Sequence, residues 1–212
     1  MDLAAVPPPV EGDHHIVDLA RIDFEKLAEK FNTGRKRTEA ERLRAALISK
    51  LTSMIRANPT RIDYMERFQA LIDAYNAGSI NVEEFFRQLM EFTKRLNEED
   101  QRTIAEGLTD EELALFDLVT KPDVELTPKE RDDVKKVAHE LLETFKQEKL
   151  VLDWRKKQQT RAGVQLTIEQ ALDRLPEVFT IDVYRQKVQR VYQHVYDSYF
   201  GEGRSVYTMA AA

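Results

Sequence analysis

An all-α protein, an irregular multi-helix bundle of about eight or nine helices with no sheet, is the fold class that this 212-residue sequence predicts. Three observations carry that prediction. Apolar residues recur at three- and four-residue spacing through nearly the whole chain, and no convincing period-2 strand interrupts them. Only 7 Gly and 7 Pro punctuate the sequence, too few for the many short strands and turns of a sandwich or barrel. Hydrophobic residues make up 42 % beside 33 % charged ones, a mixture that lets helices bury one face and solvate the other.

Taken in order, residues 1–15, with Pro7, Pro8 and Pro9 in a row, read as an extended N-terminal arm. The start has no basic n-region and no long apolar core, so a signal peptide is not expected. A first helical subdomain is expected over 16–120. Asp23 caps a short helix with Phe24, Leu27, Ala28 and Phe31 on one face. Arg35, Lys36 and Arg37 then form a solvated connector, and Thr38 with Glu41 forms a capping box. The helix opened there aligns Leu43, Leu47, Leu51, Met54 and Ile55 and stops before Pro59, because the residue preceding a proline is driven out of the helical region. Thr60 to Asp63 starts the next helix, with Tyr64, Phe68, Leu71, Ile72 and Tyr75 inward and Gly78 just past its end. Asn81 caps a helix carrying Phe85, Phe86, Leu89, Met90 and Leu96, and Thr109 with Glu112 opens a short one bearing Leu113, Phe116 and Leu118.

A linker over 120–126 leads into a second subdomain, 121–200. Thr127, Pro128 and Glu130 join a capping box to proline at the first helical position, the strongest start signal in the chain. Its core stripe is Val134, Val137, Ala138, Leu141, Leu142 and Phe145. The pattern resumes through Trp154, Val164, Ile168, Ala171, Leu172 and Leu175, with Gly163 a weak spot. A last helix carries Tyr184, Val188, Val191, Tyr192, Val195 and Tyr199 and ends near Gly201, leaving 201–212 as a flexible tail.

Composition removes several function classes. The absence of Cys excludes disulfides, a thiol nucleophile and thiolate metal sites, and suits a reducing cytoplasm. No run approaches the roughly 18 apolar residues of a membrane span. The net charge of -6 argues against generic phosphate binding, although the charge is uneven. Residues 97–133 hold 13 acidic and 4 basic residues (4 - 13 = -9), whereas 134–190 hold 12 basic and 8 acidic (12 - 8 = +4).

The motifs that resemble catalytic ones fail on geometry. No Gly precedes a Lys, so there is no phosphate loop. Gly201 and Gly203 have no third glycine and follow a helix, unlike a dinucleotide-binding turn. His139-Glu140 lacks a second histidine at 143, which is Glu, so His139 reads as a helix-surface residue and not a zinc ligand. Pro122, Asp123, Asp133 and Lys135 spell a nuclease-like string, but Asp133 and Lys135 fall inside a helix, where positions i and i+2 diverge by about 200°. His194 sits among core-stripe residues, where a structural hydrogen bond is expected.

One cationic patch stands out. Arg155, Lys156, Lys157 and Arg161 follow the sole tryptophan, Trp154, and Lys187 and Arg190 lie on the last helix. As a binding face these cations would hold phosphates, with Trp154 as a stacking platform or interface anchor. As a structural feature they would be a solvated helix face over a buried Trp154, which the negative net charge favours. All seven are carried forward as candidate partner- or DNA-binding residues; no catalytic or metal residue is assigned.

Six stretches together resemble the C-terminal helical region of the restriction (motor) subunit of type I restriction-modification enzymes. They are Asn58–Phe68 (NPTRIDYMERF), Glu106–Asp117 (EGLTDEELALFD), Leu126–Glu130 (LTPKE), Val134–Leu142 (VKKVAHELL), Leu152–Arg161 (LDWRKKQQTR) and His194–Tyr199 (HVYDSY). The resemblance spans about 16–199. In that family the subunit joins an endonuclease domain and two ATP-driven helicase lobes to a helical C-terminal region. The family's nuclease and ATPase motifs are missing here, so the resemblance implies a non-catalytic piece that docks the motor on the methyltransferase and specificity subunits. ATP and Mg would belong to the parent subunit, with no cofactor in this stretch. The alternative it leaves open is a DNA-path element that contacts duplex phosphates through the basic face.

Overall fold

The computed structural model describes residues 24–122, 124–149 and 154–210. The expected arm at 1–15 and the Asp23 cap lie outside the described residues. The all-α expectation is met. Helices α1 (Phe24–Thr33), α2 (Lys36–Ala57), α3 (Ile62–Asn76) and α4 (Val82–Asp100) come first, with a 3-10 turn at Pro59–Arg61 between α2 and α3. The short α5 (Arg102–Glu106), then α6 (Asp110–Thr120) and α7 (Pro128–Thr144), are followed by a π turn at Phe145–Lys149. After these come α8 (Gln158–Leu172), α9 (Ile181–Ser198), strands β1 (Tyr199–Gly201) and β2 (Arg204–Ser205), and the short α10 (Val206–Ala210). Among the described residues no helix is long and apolar enough to cross a membrane.

Local chemistry sets most helix starts where the sequence predicts them. Asn81 Oδ1 accepts from the Glu84 amide at 2.8 Å. At α6 the Thr109 hydroxyl accepts from the Glu112 amide while Glu112 accepts from the Thr109 amide at 2.7 Å. Thr127 and Glu130 repeat that box at α7, with Pro128 in the first turn. The exception is α2, which begins at Lys36, so Thr38 and Glu41 lie inside it and Arg35–Arg37 is its first turn instead of a connector. The reason is Gly34, whose amide donates to Lys30 O at 2.8 Å and whose missing side chain allows that approach, since a Cβ there would sit 2.6 Å from the same oxygen. The chain therefore re-enters a helix at once, and Glu41 accepts from Arg44 Nε instead of capping. Likewise Asn58, not Thr60, receives the turn after α2, accepting from the Thr60 amide and hydroxyl.

Two corrections concern the C-terminal end. The expectation of no sheet fails in one place, because α9 stops at Ser198 and Tyr199 pairs antiparallel with Ser205, Gly201 with Arg204. Gly201, Glu202 and Gly203 all take positive φ (90, 54 and 71°), which ends the helix and reverses the chain. A hairpin of three plus two residues is below what period-2 patterning detects. In place of the flexible tail, the stretch 205–207 packs down: Ser205 and Val206 are buried, and Tyr207 donates to Ala57 O at 2.6 Å, across 150 positions of sequence.

The core forms two clusters. The first unites α1 to α4 through Leu43, Leu47, Leu51, Phe68, Phe85 and Leu89, with Phe31 stacked on Phe86 and Tyr75 on Phe85. The second unites α6 to α9 through Leu113, Phe116, Leu141, Trp154, Ile168 and Val191. Helix α6, expected in the first subdomain, buries its apolar side chains in the second cluster; every residue from 111 to 120 is buried.

Tyr207 ties the C-terminal end of α2 to α9 and α10. Its single hydrogen goes to Ala57 O, so His194 Nε2, 2.9 Å from the hydroxyl oxygen, carries the proton and donates. His194 Nδ1 is then left to accept from Ser198 Oγ at 3.2 Å. The imidazole is thus neutral, and burial pushes it down from 6.5 to about 4. The unfolded chain takes up that proton first, so the contribution is full above 6.5 and is lost as pH falls toward 4. The expected loss is about 3 kcal/mol. Urea denaturation across this range checks it: the difference between the wild-type and His194→Gln stability profiles should slope there and flatten below it.

Candidate functional site

The segment 154–161 is a knot of backbone and side-chain bonds built around one carbonyl. Trp154 is fully buried, and its indole Nε1 donates to Tyr199 O at 3.1 Å. Arg155 Nε donates to the same oxygen at 3.0 Å, and its guanidinium lies over Phe200 and Tyr196, with ring centroids at 4.5 and 5.2 Å. Arg161 Nη1 donates back to Arg155 O at 2.6 Å, and the Thr160 hydroxyl is 2.6 Å from Trp154 O. These contacts lock the approach to α8 against the α9–β1 junction. Trp154, as placed, is a core residue with no face for stacking, which corrects its candidacy as a platform. Arg155 is half-buried and holds the fold.

Lys187 and Arg190 are also drawn inward. Lys187 is buried, and its Nζ donates to Lys121 O, as does Arg190 Nη1 at 3.0 Å. Two cations thereby satisfy a carbonyl at the C-terminal end of α6, where the helix dipole is negative. Of the seven candidates, Lys156 and Lys157 remain exposed, at the start of α8.

A second polar centre, which sequence reasoning missed, lies between the two clusters. Asp117 is fully buried in α6 and accepts from Asn58 Nδ2 at 2.9 Å, from Arg102 Nη1 and Nη2 at 3.0 and 2.8 Å, and from Lys121 Nζ at 3.1 Å. Burial alone would push Asp117 up, but Arg102 and Lys121 hold it below its ordinary value. Bonding to Asp117 raises Arg102 in turn. Arg102 also reaches Glu99, which accepts from Arg61 Nε at 3.1 Å and Tyr64 hydroxyl at 3.3 Å. The network joins the 59–61 turn, α3, α4, α5 and α6. One signal was available: Asp117 stands in the apolar run from Leu113 to Val119, between Phe116 and Leu118, and a buried acid requires partners.

His139 is exposed, as expected, and its Nδ1 faces Glu112 Oε1 at 2.5 Å, which raises the imidazole above its ordinary value. Asp133 and Lys135 both lie in α7, and Lys135 pairs with Glu106 at 3.0 Å. The donor set does not fit a nucleotide–magnesium centre. Glu99 and Asp117 are already enclosed by Arg, Asn and Lys, and among the described residues no three His, Asp or Glu groups converge as metal ligands. A cleft of about 450 Å³ between α2, α6 and α9 is lined by Ile55, Pro59, Leu118, His194, Asp197, Ser198 and Val206, and His194 there is held by the Tyr207 hydroxyl and Ser198.

Comparison with known proteins gives two findings. A family profile described as "Type I restriction enzyme HindI endonuclease subunit-like, C-terminal" matches residues 11–198. The chain is also 29% identical over 166 residues to a protein of Methanocaldococcus jannaschii provisionally named type I restriction enzyme MjaIXP endonuclease subunit, with 76% of this chain covered. The matched stretch spans only 14% of that relative's length. No solved structure matches.

Proposed function

The chain belongs to the HindI endonuclease subunit-like C-terminal family, the C-terminal region of the type I restriction enzyme endonuclease subunit, and on that premise we propose that it is a non-catalytic docking module. In this reading it seats the ATP-dependent translocase and endonuclease parts of the subunit on the methyltransferase and specificity subunits, in the cytoplasm. One observation carries it. The charged side chains that chemistry would need are taken up in holding helices together, at Asp117 and Glu99 and around the Tyr199 and Lys121 carbonyls. Association would use the outer surface that these contacts leave open. ATP and magnesium then act elsewhere in the subunit.

The alternative, tracking duplex phosphates, retains Lys156 and Lys157 as its exposed cations out of the seven candidates. Both readings are tested by titrating the purified chain with the methyltransferase–specificity complex and, separately, with duplex DNA at low and high salt. Docking predicts binding to the protein complex that changes little with salt, and weak DNA binding. Steeply salt-dependent DNA binding, abolished by Lys156→Glu with Lys157→Glu and unaccompanied by binding to the complex, would replace it with the DNA-path reading.

A further inference from the structure

The last described residues form a strap with a fixed root, a strained elbow and a lightly held tip. The root is Tyr199, whose carbonyl is gripped by Trp154 Nε1 and Arg155 Nε, with the Arg155 guanidinium over the ring of Phe200. Immediately after it the chain reverses through Gly201, Glu202 and Gly203, all at positive φ. Glu202, at 54°, is the only residue other than glycine with positive φ among the described residues, and its side chain works against the turn.

The tip has little stability of its own. Strands of three and two residues with a register shift between them, and a helix of five residues, do not persist without docking. What docks them is short: Val206 is buried in the wall of the cleft between α2, α6 and α9, and Tyr207 donates to Ala57 O. Thr208 bonds back to Ser205, within the strap itself, and Met209 faces solvent. The docked position also carries a cost. Tyr199 is buried with its ring centroid 5.8 Å from that of Tyr207, and its hydroxyl has no hydrogen-bond partner among the described residues. Lifting Tyr207 away lets that hydroxyl hydrate.

We propose that residues 201–210 are a hinged strap, which swings off the cleft about Gly201–Gly203 as a unit while α1 to α9 stay folded. Closed, the strap covers one end of the cleft of about 450 Å³ and fastens α2 to α9 through Tyr207, whose hydroxyl also accepts from His194. Open, it withdraws Val206 from the cleft wall and leaves the Ala57 carbonyl and the His194 imidazole to solvent. The cleft, walled by Ile55, Pro59 and Leu118, then extends along the end of α2. Opening stops at the root, because Trp154 and Arg155 hold the Tyr199 carbonyl whether or not Tyr207 is docked. One buried aliphatic side chain and one bond to α2 are the scale of a lid, which opens locally at a fraction of the cost of global unfolding.

Native-state hydrogen exchange of the full chain, resolved by residue at low guanidinium concentrations, tests the strap. The Ser205 and Thr208 amides, which donate within it, should exchange at rates nearly independent of denaturant, while those of Val191 and Val195 in α9 respond steeply. Tyr207→Phe should speed the strap amides by about tenfold. Ile168→Val trims the second cluster, whose packing the open state keeps. It should therefore speed Val191 and Val195 by about fivefold and leave Ser205 and Thr208 within about twofold. Strap amides that share the denaturant slope of α9, or that follow Ile168→Val, would overturn the proposal. So would rates at Ser205 and Thr208 that Tyr207→Phe leaves unchanged, because Tyr207 would then not be what holds the tip.

Discussion

Asp117→Ala is expected to lower the unfolding free energy by about 3–5 kcal/mol, because it strands the charges gathered around a fully buried carboxylate. The arithmetic follows from what remains after the change. Arg102 loses both of its bonds to Asp117, Lys121 loses its bond, and the Asn58 amide is left facing a void. Arg102 keeps Glu99 and is partly solvated, which limits the loss toward the lower half of that range. Asp117→Asn keeps the shape while removing the charge, and should cost less than Ala. The double change Asp117→Leu with Arg102→Met should recover much of the stability, since a well-packed apolar replacement avoids desolvating either charge. Guanidinium denaturation of the four proteins at neutral pH checks the order; a single Ala substitution costing under about 1 kcal/mol would remove the network from any role in joining the clusters.

The second large effect is at Trp154. Trp154→Ala empties a fully buried indole site between the α8 approach and α9, and should cost about 3–5 kcal/mol. Trp154→Phe keeps most of the packing, including the edge contact with Tyr196, and loses the bond to Tyr199 O. Arg155 still donates to that oxygen, so the carbonyl is not orphaned and the cost should fall to roughly 1–2 kcal/mol. Thermal or chemical unfolding followed by circular dichroism separates the two. A surface tryptophan would show neither penalty, so equal stability of Ala and wild type would place the indole in solvent.

What the sequence made legible follows from how far each interaction reaches. The caps at Asn81, Thr109 and Thr127 were readable because donor and acceptor are three residues apart. The core stripes of α2, α4 and α7 were readable for the same reason, since helical periodicity is local. Thr38 misled because a capping box is permitted by its residues yet outcompeted by the close turn at Gly34. The cationic candidates were opaque for a different cause. Trp154 and Arg155 are claimed by a carbonyl some 45 residues away, and Lys187 by one 66 residues away, and no periodicity reports such distances. Lys156 and Lys157 looked the same in sequence as their neighbours, and only the fold separates them.

The fastening of Ala57 by Tyr207 bears on the order in which a nascent chain matures. Helices α1 to α4 can condense as soon as they leave the ribosome, since their cluster draws on nothing beyond Leu96. The joint with the later helices has no such freedom. Its fastener emerges after α9, and the Tyr199 carbonyl that receives Trp154 and Arg155 emerges barely earlier. During synthesis this joint therefore closes only after α9 and the residues that follow it have been made. A stop ahead of Tyr199 would release a chain with α1 to α9 complete and its two halves unfastened at that end.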